Sequence, residues 1–154
     1  RVPGAWRIPL HGFGEVLPYH NNRAFLDETK TDDLGLPLMR FEVEWGENEK
    51  RMAKEIAREA ARMLEVAGFV DIVVRSEFGA PGMGIHEMGT ARMGDDPTLS
   101  VVNKWNQMHV APNVFITAGA FMTSAGTVNP TMTYMAFTAR AADHAVELFQ
   151  SGQI

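Results

Sequence analysis

The sequence predicts an α+β fold, mostly antiparallel sheet with flanking helices. Three patterns carry that expectation. Met39, Phe41, Val43 and Trp45 alternate with polar residues, the period of a half-buried strand. Residues 48–67 repeat apolar and alanine positions at helical spacing. Asn129-Pro130 opens a second run of helical character that reaches about residue 149.

Taken in order, residues 1–20 are rich in Gly, Pro and aromatics and read as loop or irregular strand. Residues 23–27 form a short strand, residues 28–35 a polar turn, and residues 39–45 a strand antiparallel to the first. The helix over 48–67 buries Met52, Ile56, Met63 and Ala67 beside Ala53, Ala57, Ala60 and Leu64, and charged residues line its wet face. Asn48 is its expected N-cap and Gly68 its expected stop. Residues 69–74 are rich in β-branched side chains and read as a strand. Residues 76–84 make a Gly/Pro loop, and residues 114–117 a short apolar strand. In the last helix Ala136, Ala139, Ala142 and Ala145 keep one side slim for close packing. No repeat or low-complexity linker interrupts the chain.

The chain has 154 residues, enough for one domain with a real core. Its net charge of −5 and scattered Lys and Arg argue against a nucleic-acid surface. It has no cysteine, which excludes disulfides, thiolate metal sites and a cysteine nucleophile. That is compatible with cytoplasm or periplasm. No apolar run is long enough to span a bilayer. The opening Arg1-Val2-Pro3-Gly4 has neither Met nor a signal pattern, and reads as the start of a piece of a longer chain.

Two constellations carry candidate chemistry. In His86-Glu87-Met88-Gly89-Thr90-Ala91-Arg92-Met93-Gly94 a helical zinc site fails, because Thr90 stands where the second His belongs, and no metal site is expected. A phosphate loop at residues 82–87 fails because Glu87 replaces the last glycine and no helix follows. What remains is a histidine in a Gly-rich loop, open to close approach by a ligand. Neutral imidazole is the usual acceptor of an alcohol proton, and a merely hydrogen-bonded loop histidine is the plainer alternative. The second constellation is Thr123-Ser124-Ala125-Gly126-Thr127-Val128-Asn129-Pro130-Thr131-Met132-Thr133. Its helix start carries partial positive charge and unpaired N–H groups, which suit an anion; a simple Asn129 cap is the plainer alternative. His11 and His20 are exposed or line a sugar site, His109 is structural or solvated, and His144 lies on the surface. Met83, Met88 and Met93 pack or line a pocket. Trp6 and Trp105 are core residues or stack on a sugar.

Together these motifs resemble the glucose–methanol–choline (GMC) oxidoreductases. Members carry His-x-x-Gly-Thr-x-x-Met-Gly, then a Pro-Asn-hydrophobic strand, a Gly, a His- or Asn-Pro, and a terminal helix. The matching residues are those from His86 to Gly94, Pro112-Asn113-Val114-Phe115-Ile116, Gly119, Asn129-Pro130, and the close at Ala139-Arg140-Ala141-Ala142-Asp143-His144. Asn22-Arg23 and Gly35-Leu36-Pro37 look most like the branch of gluconate, fructose and glucoside dehydrogenases. The resemblance implies an FAD-dependent enzyme that oxidises a CH–OH group of an alcohol or sugar and passes hydride to flavin N5. Within it, His86 accepts the hydroxyl proton and Asn129 holds the same oxygen. Gly119, Ala118, Pro130 and Thr131 lie at the cofactor, with Ala118 standing where members usually have Asp and Ala120 where they often have Ser. Residues of about 1–109 are then substrate-side, and those of about 110–154 return as strand and helix to a Rossmann-like FAD domain whose N-terminal part is not in this sequence. The resemblance leaves the electron acceptor open between a quinone, cytochrome or dye and, in an oxidase, oxygen, and it points to a bacterial type. The rival is a non-catalytic carbohydrate-binding or assembly module; Ala118 favours it and the intact His86 and Asn129 weigh against it.

Overall fold

The computed structural model describes residues 4–77 and 79–154. The loop character expected of residues 1–3 and of Phe78 falls outside the described residues. The class is α+β: a two-stranded antiparallel sheet and two long helices, joined by irregular but closely bonded chain.

The hairpin pairs β1 (Arg23–Thr31) with β2 (Pro37–Glu42). Its register runs from Arg23↔Glu42 to Thr31↔Pro37, with an irregularity between Leu26 and Thr31. There the Asp27 carboxylate accepts from the Thr29 and Lys30 amides at 2.9 and 3.0 Å. The first strand thus runs past residue 27, and the turn shrinks to residues 32–36. Asp32 closes it by accepting from the Leu34 and Leu36 amides, both at 2.9 Å, while Gly35 supplies the positive φ of 79°. The second strand ends at Glu42, short of Trp45. Its expected buried face is not buried: Phe41 is 65% exposed and Met39 57%. Alternation marks a face that suits burial, but a two-stranded ribbon supplies no second layer to cover it.

Helix α1 (Glu47–Val66) begins one residue earlier than expected, and Asn48 is not its cap. Gly46, in extended conformation, holds that position, and Asn48 turns its amide to Glu49 at 3.2 Å. Glu47 and Glu49 in the first turn complement the helix dipole. The stop at Gly68 is as expected: with φ of 84°, it lets its own amide reach the Glu65 carbonyl and the Phe69 amide reach Leu64, both at 3.0 Å. The half-buried stripe is Met52, Ala53, Ile56, Ala57, Ala60, Ala61 and Leu64, whereas Met63 points to solvent. The Gly-rich opening crosses this stripe. A Cβ on Gly12 would sit 2.0 Å from Ile56 Cγ2, and one on Gly14 2.7 Å from Met52 Cε, so both glycines lie directly against α1.

Glu49 fastens the same segment. Its buried carboxylate accepts from the Leu17 amide at 3.1 Å and the Tyr19 hydroxyl at 3.0 Å. Burial alone would raise its pKa; the bonds from Leu17, Asn48, its own amide and Tyr19 outweigh that and bring it down to about 2. Residues 69–74 do not form the expected strand. Val70 is 81% exposed and Asp71 has a φ of 57°. A β-branched run becomes a strand only where a neighbouring strand takes its hydrogen bonds, and none does so among the described residues.

Residues 91–122 are knitted differently. Val102 bridges Met93 on one side and Met108 on the other, and Gln107 bridges Phe115. The expected strand at 114–117 is reduced to that one bridge. Buried Asn106, at a φ of 62°, exchanges bonds with Ile116: Ile116 N–H to its carbonyl at 2.9 Å, and its side-chain amide to the Ile116 carbonyl at 2.8 Å. A 3₁₀ turn (Gly119–Phe121) follows, then α2 (Thr131–Gln150). Helix α2 closes on the knot through Phe137 against buried Phe121, ring centroids 4.9 Å apart, and through His144 stacked on Trp105 at 4.6 Å. His144 is therefore a packing residue rather than a surface one. Trp105 is half-buried, while Trp6 is 90% exposed and no core residue. No helix is long and apolar enough to cross a membrane among the described residues.

Candidate active site

The His86 motif approaches the knot from a turn-rich loop. Gly82 turns at a φ of 78°, and the Glu87 carboxylate accepts from the Gly84 amide at 2.9 Å. Gly89, at a φ of 85°, brings the chain against residue 122: a Cβ there would lie 3.5 Å from the Met122 carbonyl oxygen. Beyond it the motif runs beside the 3₁₀ turn. The Ala91 amide donates to the Ala120 carbonyl and the Met93 amide to the Phe121 carbonyl, each at 2.8 Å. The two motifs, over forty residues apart in sequence, are thereby joined through residues 119–122.

A second tie reaches α2. The Tyr134 hydroxyl donates to Met88 Sδ at 3.3 Å, and Gly119 lies against both. A Cβ on Gly119 would stand 2.8 Å from both Met88 Sδ and Tyr134 Oη. A side chain here would have to displace the ends of Met88 and Tyr134.

Both candidate catalytic side chains, His86 and Asn129, are exposed and make no hydrogen bond among the described residues. Asn129 is not the helix cap. Pro130, at φ −94° and ψ 7°, takes that place, no side chain caps the helix, and the Pro130 carbonyl accepts from the Tyr134 amide at 3.0 Å. The helical bonds start at the Pro130 carbonyl, so Asn129 falls outside the helix. Pro130 is buried; Thr131 is exposed at the helix start; Ala118 is exposed and precedes the 3₁₀ turn.

The first turn of α2 holds no acidic side chain. Its open N–H groups and positive dipole end form a donor set suited to an anionic group. His109 is structural. Ser100 donates to the Asp96 carbonyl at 2.6 Å, so the His109 Nε2–H donates, with the Ser100 hydroxyl at 3.0 Å and the Gly94 carbonyl at 3.1 Å. Among the described residues no three His, Asp or Glu side chains gather as a metal set.

Sequence reasoning missed Glu15, whose carboxylate reaches Ser124, Ala125 and Gly126. The Ser124 hydroxyl, with the Gly126 and Ala125 amides, holds its pKa below the usual range against the desolvation that would raise it. Its partners lie more than a hundred residues away, so no local pattern announces it. A groove of about 1150 Å³ lies elsewhere: Trp6, Ile8, Leu10, Ile56, Phe69 and Val74 line it, and His86 and Asn129 do not.

The model of the GMC oxidoreductase family matches residues 18–138. The chain belongs to the GMC oxidoreductase family. Among similar proteins is a 2-methyl-1,2-propanediol dehydrogenase of Mycolicibacterium austroafricanum, 40% identical over 86% of this chain and 24% of that protein. The large subunit of a fructose dehydrogenase of Gluconobacter japonicus is 36% identical over 88% of this chain and 24% of its own length. A paromamine 6'-oxidase of Streptomyces fradiae is 34% identical over 81% of this chain and 23% of its own length. This GMC chain thus spans about a quarter of the relatives it matches.

Proposed function

We propose that this chain is the C-terminal, active-site part of a longer FAD-dependent enzyme that oxidises a CH–OH group of an alcohol or sugar. The observation that carries the reading is the seam of residues 91–93 on residues 120–121. It links the loop of His86 to the segment that leads to Asn129 and the open N-terminus of α2. A shared substrate oxygen within hydrogen-bond reach of both side chains is what proton abstraction requires.

In this reading His86 accepts the hydroxyl proton at its imidazole, and the Asn129 amide holds the same oxygen. Both are free for that work, since neither is engaged within the described residues. Pro130, Thr131 and the first turn of α2 would hold the flavin's pyrimidine edge, and Gly119 and Ala118 would lie beside it. When bound, the flavin supplies the hydride acceptor. The exposed apolar faces of β2, residues 69–74 and α2 are where the remainder of the longer polypeptide packs. On that view residues of about 1–109 stand on the substrate side, and those of about 110–154 belong to a Rossmann-like FAD domain.

Relatives named as dehydrogenases and as an oxidase weigh against a non-catalytic carbohydrate-binding or assembly module. They leave both a quinone, cytochrome or dye and oxygen as electron acceptors. The test is the absorption spectrum of the longer polypeptide without oxygen. A flavin band that bleaches on adding an alcohol or sugar from a broad panel is expected; a colourless protein, or a band that no member bleaches, contradicts the reading.

A further inference from the structure

We propose that Glu15 is a positioning residue for the loop that carries Asn129; this rests on the role given to Asn129 above. Residues 123–129 connect the 3₁₀ turn to α2. One carboxylate oxygen of Glu15 accepts from the Ser124 hydroxyl, from the Ala125 amide at 3.0 Å and from the Gly126 amide at 3.2 Å. Gly126, at a φ of 65°, helps turn these amides to one point. Among the described residues the loop's one other hydrogen bond is internal, from the Gly126 amide to the Ser124 hydroxyl at 3.4 Å. Glu15 is thus what ties this loop to the rest of the described chain by hydrogen bonds.

The other end of the tie is anchored. Gly12 and Gly14 lie against Ile56 and Met52 of α1, and the Leu17 amide donates to Glu49. Residues on both sides of Glu15 are therefore fixed to α1, and Glu15 transmits that fixed position to the loop. An ionised acceptor strengthens all three bonds, and the depressed pKa of Glu15 keeps it ionised at neutral pH. Misplacing a reacting partner by about 1 Å can cost on the order of a hundredfold in rate, so order in this loop matters to any step that uses Asn129.

The test uses the longer polypeptide with its flavin bound, as wild type, Glu15→Ala, Glu15→Gln and His86→Ala. Hydrogen exchange is read on peptides covering residues 122–130, and flavin reduction by rapid mixing with a substrate that bleaches the wild type. In Glu15→Ala, exchange at 122–130 rises about tenfold or more. The limiting reduction rate falls about tenfold, and half-saturation moves less. Glu15→Gln keeps a carbonyl acceptor and recovers part of both, which a general loss of fold would not do. Unchanged exchange at 122–130 in Glu15→Ala overturns the proposal, and so does lost protection with a wild-type reduction rate. His86→Ala separates this from the reading of the site: unslowed reduction there defeats that reading, whereas slow reduction by His86→Ala beside either of those two Glu15→Ala outcomes defeats the Glu15 proposal alone.

Discussion

Residues 91–122 and the hairpin with residues 69–74 contain similar proportions of apolar side chains but bury them very differently. In the first region Val102 and Phe121 are buried, and bonds between distant residues stitch the chain with little regular structure. In the second, β1 and β2 pair well, yet Phe41, Met39 and Val70 face outward. The scaffold beneath the His86 motif buries part of its apolar side chains within the described residues, whereas the hairpin leaves its own exposed. Regular hydrogen bonding and burial are separate achievements, and here the irregular region has more of the second.

The largest effect expected from this contrast is on stability within the chain. Phe121→Ala removes a ring packed on Phe137 and should cost about 3–5 kcal/mol. Phe41→Ala, at an exposed position, should stay within about 0.5 kcal/mol. Urea unfolding of this chain checks both, and equal costs would erase the distinction between the two regions.

A slightly smaller effect concerns the strap that joins the opening segment to α1. The folded pKa of Glu49, about 2, lies below its ordinary value of 4.5. Its contribution is therefore full above about pH 4.5 and is lost as the pH falls from there towards 2, on the order of 3 kcal/mol in all. Stability measured across that window should fall in the wild type and flatten in Glu49→Gln. An identical slope in both would remove Glu49 as the anchor.

Local signals were readable in the sequence. The stop at Gly68 needs only a glycine after a helical run, and both helices follow from spacing within a few turns. The resemblance in residues 86–94 and 129–130 likewise rests on short motifs. What was not readable depends on partners far along the chain. The alternation from Met39 to Trp45 marks a face without saying what covers it, and residues 69–74 carry strand composition without a strand to pair with. Asn48 and Asn129 were both expected as caps because Asn is a favoured cap type; Gly46 and Pro130 hold those positions through backbone conformation instead. Glu49 looked like an ordinary acid in a first turn, and Glu15 like an ordinary loop acid, because their partners are distant in sequence.

On the proposed reading, the seam at residues 91–93 and 120–121 presents His86 and Asn129 to one alcohol. Flavin reduction in the flavin-loaded longer polypeptide tests it most directly. With His86→Ala, limiting reduction should slow by roughly a hundredfold or more while half-saturation changes less. Asn129→Ala should slow it too with stability nearly unchanged, since Asn129 caps nothing. Reduction by His86→Ala at a rate close to wild type, with flavin content intact, would contradict the account.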